Sequence, residues 1–372
     1  MAIQKIDITP DKLQWAYKRA GLDEETAVKK FPKLKSWLSG EQKPTFKQLQ
    51  DFATKFYVPF GYLFLNKIPE ERIPFAMFRG AKGDNGIFDL NVYDTISAIQ
   101  NRQDWLEDYL VENEIDICPI VNSVKINTPV NETVCILRRH LELPSEWAFE
   151  TSDVRSAANL LTQQIENIGI FISFNGIVGN NSRRVLDVSQ CRGFALVNST
   201  APYIFVNSND SRYAQIFTLI HETAHIMLGV SAGHAEHIEF NDNAVEKYCD
   251  EVAANFLVPS DTLRRKWNGN YKKMSNAFKV SEIVIARRAH DLGLIDSDEY
   301  RRFWSEYNSR PFTKVKKSGG GDFYRTCTKR IGRLFAIHVR YAAESRQISY
   351  TDAYRLTGLY GDTYHKFMTS KI

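Results

Sequence analysis

Three side chains in the run FTLIHETAHIMLG, residues 217–229, have the types and spacing for hydrolytic chemistry: His221, Glu222 and His225 form an HExxH pattern. Residues four apart on a helix share a face, so both imidazoles can reach one tetrahedral zinc ion at about 2.0–2.1 Å. Glu222 then projects to the side where a water would lie, and a carboxylate beside a zinc-activated water is the equipment for amide hydrolysis. The bland alternative is a surface helix with two incidental histidines. Against it, Leu219, Ile220, Ala224, Ile226, Met227 and Leu228 make the run apolar almost all round, which predicts burial. Buried histidines and a buried glutamate need partners.

Two histidines leave a zinc site incomplete, since a catalytic site takes a third protein ligand with water in the fourth place. Glu246 is the choice here. It falls in VEKYCDEVAANF, a helix expected over Val245–Phe256 that can pack antiparallel to the first across the intervening loop. The rivals are His234, His237, Asp242 and Glu251. Either histidine would need the polar loop SAGHAEHIEFNDNA to fold onto the metal, and Glu251 points away from Glu246 at five residues' distance. Asp250 lies one turn from Glu246 on the same face. It is read either as acceptor of a ligating histidine's free ring proton or as an ordinary exposed carboxylate. Tyr213, His234 and His237 are the candidates for steadying an oxyanion.

The remaining composition bounds the class. A chain of 372 residues accommodates two or three domains, and a net charge of +4 demands no broad polyanion-binding surface. Cys118, Cys135, Cys191, Cys249 and Cys327 are odd in number, scattered and without a CxxC pair, a pattern of reduced thiols in a cytoplasm. The opening MAIQKIDITP lacks a long apolar core, and no apolar run reaches spanning length, so neither export nor a membrane location is expected.

Along the chain, short helices are expected at Pro10–Arg19, Glu24–Lys30, Lys33–Leu38 and Thr45–Phe56, with a last turn at Pro59–Leu65. Proline stands near their starts and glycine near their ends. NKIPEERIPFAMFRGAKGDNG reads as a connector and Leu90–Asn113 as a long helix. Helices follow at Val134–Leu141 and Ser152–Asn167. The period then changes to strands at Gly169–Phe174, Phe194–Val197 and Tyr203–Val206. An edge strand beside the zinc helix can hold a peptide by main-chain hydrogen bonds. Past the Glu246 helix, Ala286–Leu294 and Tyr300–Trp304 read as helices. KVKKSGGG is a basic joint, and Phe323–Met368 is a mostly helical tail. The expected fold class is α+β, mostly helical. Its parts are a helical domain at 1–66, a connector at 67–89, a zinc peptidase domain with a small sheet at 90–310 and a helical region at 311–372.

Two sets of motifs carry family resemblances. The five short helices and the stretch SWLSGEQKPTFKQLQDFA resemble the lambda-repressor type of helix-turn-helix domain. This implies major-groove recognition by the helix ending at Trp37, with Lys33 and Lys35 near phosphates. Only Pro32–Ser39 separates Phe31 from Gly40, which is short for a turn and a full recognition helix, so contact with a protein partner stands beside DNA binding through residues 9–65. FTLIHETAHIMLG, VEKYCDEVAANFLVP and CRGFALVNSTAPYIFVN, with the repressor-like segment ahead, resemble the ImmA/IrrE family of zinc metallopeptidases over roughly residues 9–310. The tail is similar to that of longer members. The resemblance implies a gluzincin-like fold with zinc on His221, His225 and Glu246, and Glu222 as catalytic base. It also implies cleavage or loss of a partner repressor or antitoxin encoded nearby, switching on genes of a mobile element or stress response. Asp250 departs from the family's usual Asn, and Met77 in FAMFRG from its usual acidic residue.

Three functions follow: a zinc endopeptidase acting on a regulatory protein, a DNA-binding regulator whose zinc is structural or sensory, and a hydrolase of a non-peptide. Nothing in the sequence resembles a phosphate cradle or nucleotide pocket that would favour the last.

Overall fold

Capping explains how the N-terminal segments become helices. The computed structural model describes residues 4–69, 89–115, 118–234, 244–310 and 322–370. Pro10 opens the helix Pro10–Arg19, and Asp23 accepts from the Thr26 amide at 2.8 Å to start Glu24–Lys30. Thr45 and Gln48 form a reciprocal capping box for Phe46–Lys55. Leu34–Leu38 and the 3-10 turn Phe60–Phe64 complete the set around Leu13, Trp37, Leu49, Phe52 and Phe56. The third helix has five residues, and it turns Leu34 and Trp37 inward.

The chain forms two compact units, divided within the long helix Leu90–Glu112 at Tyr93/Asp94. The second unit is built on a sheet and its flanking helices. Strands β1 (Phe171–Asn175), β4 (Gly193–Leu196), β5 (Tyr203–Asn207) and β6 (Ala232–His234) form one sheet in the order β1-β5-β4-β6. β2 (Ile177–Val178) and β3 (Asn181–Val185) form a separate antiparallel pair. β1 and β5 run parallel from Phe171↔Tyr203 to Asn175↔Asn207. β4 lies antiparallel to both β5 and β6.

Alternation along these strands divides the side chains between two faces. Ile172, Phe174, Ala195, Ile204 and Val206 enter the core with the helices Val154–Asn167 and Arg212–Leu228. On the other face, Phe171 stacks with Tyr203, which meets Phe335 of the C-terminal helix Arg333–Glu344. Ser173 Oγ and Tyr203 OH also donate to the Ile331 carbonyl at 3.0 and 3.3 Å. The tail is therefore mostly helical, as expected, and its helices belong to the unit that holds the sheet.

The joint between Phe323–Ile331 and Arg333–Glu344 is Gly332, with φ +91. A Cβ there would collide with the Ile172 carbonyl of β1, a backbone atom that cannot swing aside. Gly332→Ala is expected to destabilise the protein by about 2 kcal/mol or more, through overpacking and strain at a positive φ. Denaturant midpoints measured on the parent and the variant check this.

The expected connector falls mostly outside the described residues, Met77 included, as does KVKKSGGG. Among the described residues no helix is long and apolar enough to cross a membrane.

Candidate metal centre

The helix that carries the HExxH residues runs from Arg212 to Leu228, starting five residues before the apolar run. Ser211 Oγ accepts from the Ala214 amide at 3.2 Å to begin it, and Gly229 at φ +74 ends it. From Gln215 to Leu228 every residue is buried. Its last carbonyls are satisfied from outside, with Asn122 N donating to Ile226 O and Val124 N to Met227 O, each at 3.1 Å.

Glu246 comes from Ala244–Leu257, which packs against the motif helix and against Val130–Leu141. Two anchors hold this second helix. Tyr248 OH lies 2.6 Å from Thr133 Oγ1 and donates to the Thr128 carbonyl at 2.9 Å. Arg138 places its guanidinium over the Phe256 ring at 4.5 Å and donates to the Phe256 carbonyl.

The two helices bring His221, His225 and Glu246 to one point, fully buried. The His221 and His225 Nε2 atoms are 3.1 Å apart, and Glu246 Oε2 and Oε1 lie 3.2 and 3.1 Å from them respectively. Tetrahedral ligands at about 2.0–2.1 Å from a metal are about 3.3–3.4 Å from one another, so the separations fit one small cation. Asp250 Oδ1 is 2.8 Å from His221 Nδ1. A ring proton held there leaves the Nε2 lone pair facing His225 and Glu246. Two nitrogen lone pairs and a carboxylate at such distances repel unless a proton or a cation lies among them.

Glu222 supplies the second test of fit. Both of its carboxylate oxygens are buried without a hydrogen-bond partner. Burial pushes its pKa up to about 8; the charge of His221 opposes the rise, and those of Glu246 and Asp250 add to it. An unpartnered carboxyl in a dry interior is costly, and a nearby cation and water are what such a group lacks. β4 explains how it fits: a Cβ on Gly193 would come 2.5 Å from Thr218 Cγ2, 2.7 Å from the Phe205 carbonyl and 3.5 Å from Glu222 Oε1. Only a glycine lets the strand pass this close to the motif helix.

The other candidates lie elsewhere. Glu251 is exposed on the far side of its helix, whereas Asp250 is buried, which removes the reading of Asp250 as an ordinary exposed carboxylate. Tyr213 donates to Asn276 Oδ1 at 2.9 Å, eight residues before His221. His237 and Asp242 are outside the described residues. His234 ends β6, a strand in a segment whose polarity reads as loop.

Residues 165–290 match the family model of the IrrE N-terminal-like domain (Peptidase_M78). This stretch is a peptidase-family domain, and it contains the motif helix, β6 and the Glu246 helix. Residues 331–370 match a domain of unknown function, DUF8813. No curated protein and no solved structure matches the chain.

The electrostatics of the IrrE-like domain predict how pH acts on the metal-free protein. Burial alone would lower the His221 pKa, but hydrogen bonds to Asp250 and Glu246 and the surrounding carboxylates carry it well above 6.5. Both His221 and Glu222 thus hold protons more tightly folded than unfolded. Stability from these groups is present at low pH and is lost as pH rises, for Glu222 between about 4.5 and about 8. Its slope is at most about 1.4 kcal/mol per pH unit for one proton. A bound cation displaces the protons, so the gap in Tm between metal-loaded and metal-free protein is expected to widen from pH 6 to pH 8. Calorimetry at both pH values would contradict this by finding a constant or narrowing gap.

Asp250→Asn is expected to weaken metal affinity by about 10- to 100-fold while leaving the stoichiometry at one, because it loosens the His221 ring without removing a ligand. Competition with a chromophoric chelator measures the change.

Proposed function

We propose that the IrrE-like domain is a zinc-dependent endopeptidase, with His221, His225 and Glu246 as metal ligands and Glu222 as the catalytic base. The observation that carries this reading is the buried, unpartnered Glu222 carboxyl beside three converging donor atoms. Zinc, when bound, would polarise the scissile carbonyl and make water a competent nucleophile near neutral pH. Glu222 takes a proton from the attacking water at a carboxylate oxygen and returns it to the leaving amine. Asp250 keeps the proton of His221 on Nδ1, so that Nε2 stays a lone-pair donor. β6, at the end of the sheet order next to β4, offers an edge to which an extended peptide can add.

The substrate is a regulatory protein, a repressor or antitoxin encoded beside this chain, and its cleavage switches on gene expression. The N-terminal unit serves to contact that partner. The inward-facing Leu34 and Trp37 of the five-residue third helix leave little surface for base readout, which favours protein contact over DNA binding. Co-expression with the neighbouring gene product, followed by intact-mass analysis, should yield two fragments whose masses sum to the partner plus one water. An intact partner that nevertheless co-purifies with this chain would replace the peptidase reading with a binding one.

A further inference from the structure

A cavity of about 380 Å³ opens in the second unit, lined by the long helix Leu90–Glu112, the sheet and the C-terminal helices and by none of the metal-cluster residues. Arg102, half-buried, is its fixed point. Its Nε donates to the Leu356 carbonyl at 3.2 Å, and its Nη1 to the carbonyls of Arg330 and Ile331 at 3.2 and 3.4 Å. The guanidinium also lies over the Phe335 ring, 5.2 Å from its centre. On another wall, Asn180 Nδ2 donates to the Gly358 carbonyl at 2.9 Å, tying the turn between β2 and β3 to the tail.

No aspartate or glutamate stands among the described residues that line this cavity. Carbonyls and a ring hold Arg102 in place without cancelling its charge, and its Nη2 meets no protein acceptor among the described residues. Arg330, half-buried in the same lining, forms no side-chain hydrogen bond or ion pair among them either. Arg355 is exposed and has Asp352 at 3.6 Å, and Asp94, on the helix of Arg102, is taken by Arg184 at 2.6 Å. Arg102 and Arg330 are thus two uncompensated cations on one cavity. A purely structural strut would account for the three carbonyl bonds of Arg102, but not for its open Nη2 or for Arg330 beside it. The wall next to them is apolar, with Ile99, Phe205 and Ile331. A bare inorganic ion would leave that wall uncovered, and a neutral apolar molecule would leave the two charges without a counter-ion.

We propose that this cavity binds a small organic anion, a carboxylate or phosphate group on a compact apolar body, with Arg102 and Arg330 on the charge and Ile99, Phe205 and Ile331 against the body. Guanidinium forks match either head group, and the volume is at the lower end of small-molecule sites. Phe205 belongs to the IrrE-like domain and Ile331 and Leu356 to the DUF8813 segment, so the segment supplies one side of a shared ligand site. The site does not depend on the peptidase reading.

The test is ligand-detected NMR titration of the full chain with benzoate, phenyl phosphate, benzyl alcohol and inorganic phosphate, for the parent, Arg330→Met and Arg325→Met. Arg325 is exposed on the same helix as Arg330 and lines no part of the cavity, so it controls for general charge. Benzoate or phenyl phosphate is expected to bind the parent with a Kd of about 1 mM or tighter, within reach of a fragment of that size, and the tighter of the two identifies the head group. Benzyl alcohol, the ring without the charge, and inorganic phosphate, the charge without the body, should each bind at least about tenfold more weakly. Arg330→Met should weaken the bound anion by about tenfold or more, the scale of one charge-assisted hydrogen bond, and Arg325→Met should leave it unchanged. The proposal is overturned if neither organic anion binds, if the neutral or inorganic probe binds as tightly, or if the two variants behave alike. Arg330→Gln keeps the test decisive should Arg330→Met fail to fold.

Discussion

Glu222→Gln should lower the rate of partner cleavage by about 10²- to 10⁴-fold, the contribution of a positioned general base, while metal content stays at the parent level. The amide has the shape of the carboxyl and occupies the same slot against Gly193, so the fold and the three donor atoms are left in place. What it loses is the capacity to take a proton from water. Single-turnover cleavage followed by mass spectrometry, with zinc measured on the same sample, separates the two effects. A Glu222→Gln protein that cuts as fast as the parent would mean that Glu222 is not the base.

Glu246→Ala has the second large effect, on the metal itself. Without Glu246 the two Nε2 atoms 3.1 Å apart remain, but the negative charge that offsets a divalent cation is gone. Zinc affinity is expected to fall by more than about 100-fold, beyond the 10- to 100-fold that loss of an outer hydrogen-bond partner costs. Glu251→Ala, on the exposed side of the same helix, should leave affinity unchanged. If zinc binds Glu246→Ala as tightly as the parent, the third ligand lies elsewhere in the chain.

The centre of the molecule was legible because its signals are local and periodic. The i, i+4 spacing of His221 and His225 needs only a helix to bring their nitrogens together. Glu246 and Asp250, also four apart, meet those histidines because the second helix buries the same face. Strands β1, β4 and β5 stood out as β-branched and aromatic runs, and the structure places them within about two residues of their expected ends.

What escaped has weaker local signatures. β6 is three residues long, too short for alternation to register, and it exists because β4 offers it a partner and Ser231 Oγ accepts from Val197 N at 2.8 Å. The β2–β3 pair is short, half-buried at Ile177 and Val178 and largely exposed from Asn181 to Val185, so it carries no apolar period. The motif helix starts at Arg212 rather than Phe217 because the Ser211 cap, not the apolar stripe, sets its beginning. Ser297–Ser309 likewise starts earlier and runs longer than its apolar run, because Asp296 accepts from two amides at its start. Ser260–Lys266 and Tyr271–Phe278, short and polar on one side, show as helices only once packed.

The central claim is that His221, His225 and Glu246 hold zinc beside Glu222, and anomalous diffraction at the zinc absorption edge on crystals of the full chain tests it most directly. The expected result is a single strong peak at about 2.0–2.1 Å from both Nε2 atoms and a Glu246 carboxylate oxygen. A zinc-replete crystal with no peak among these three residues, or with its only peak on other ligands, would contradict it.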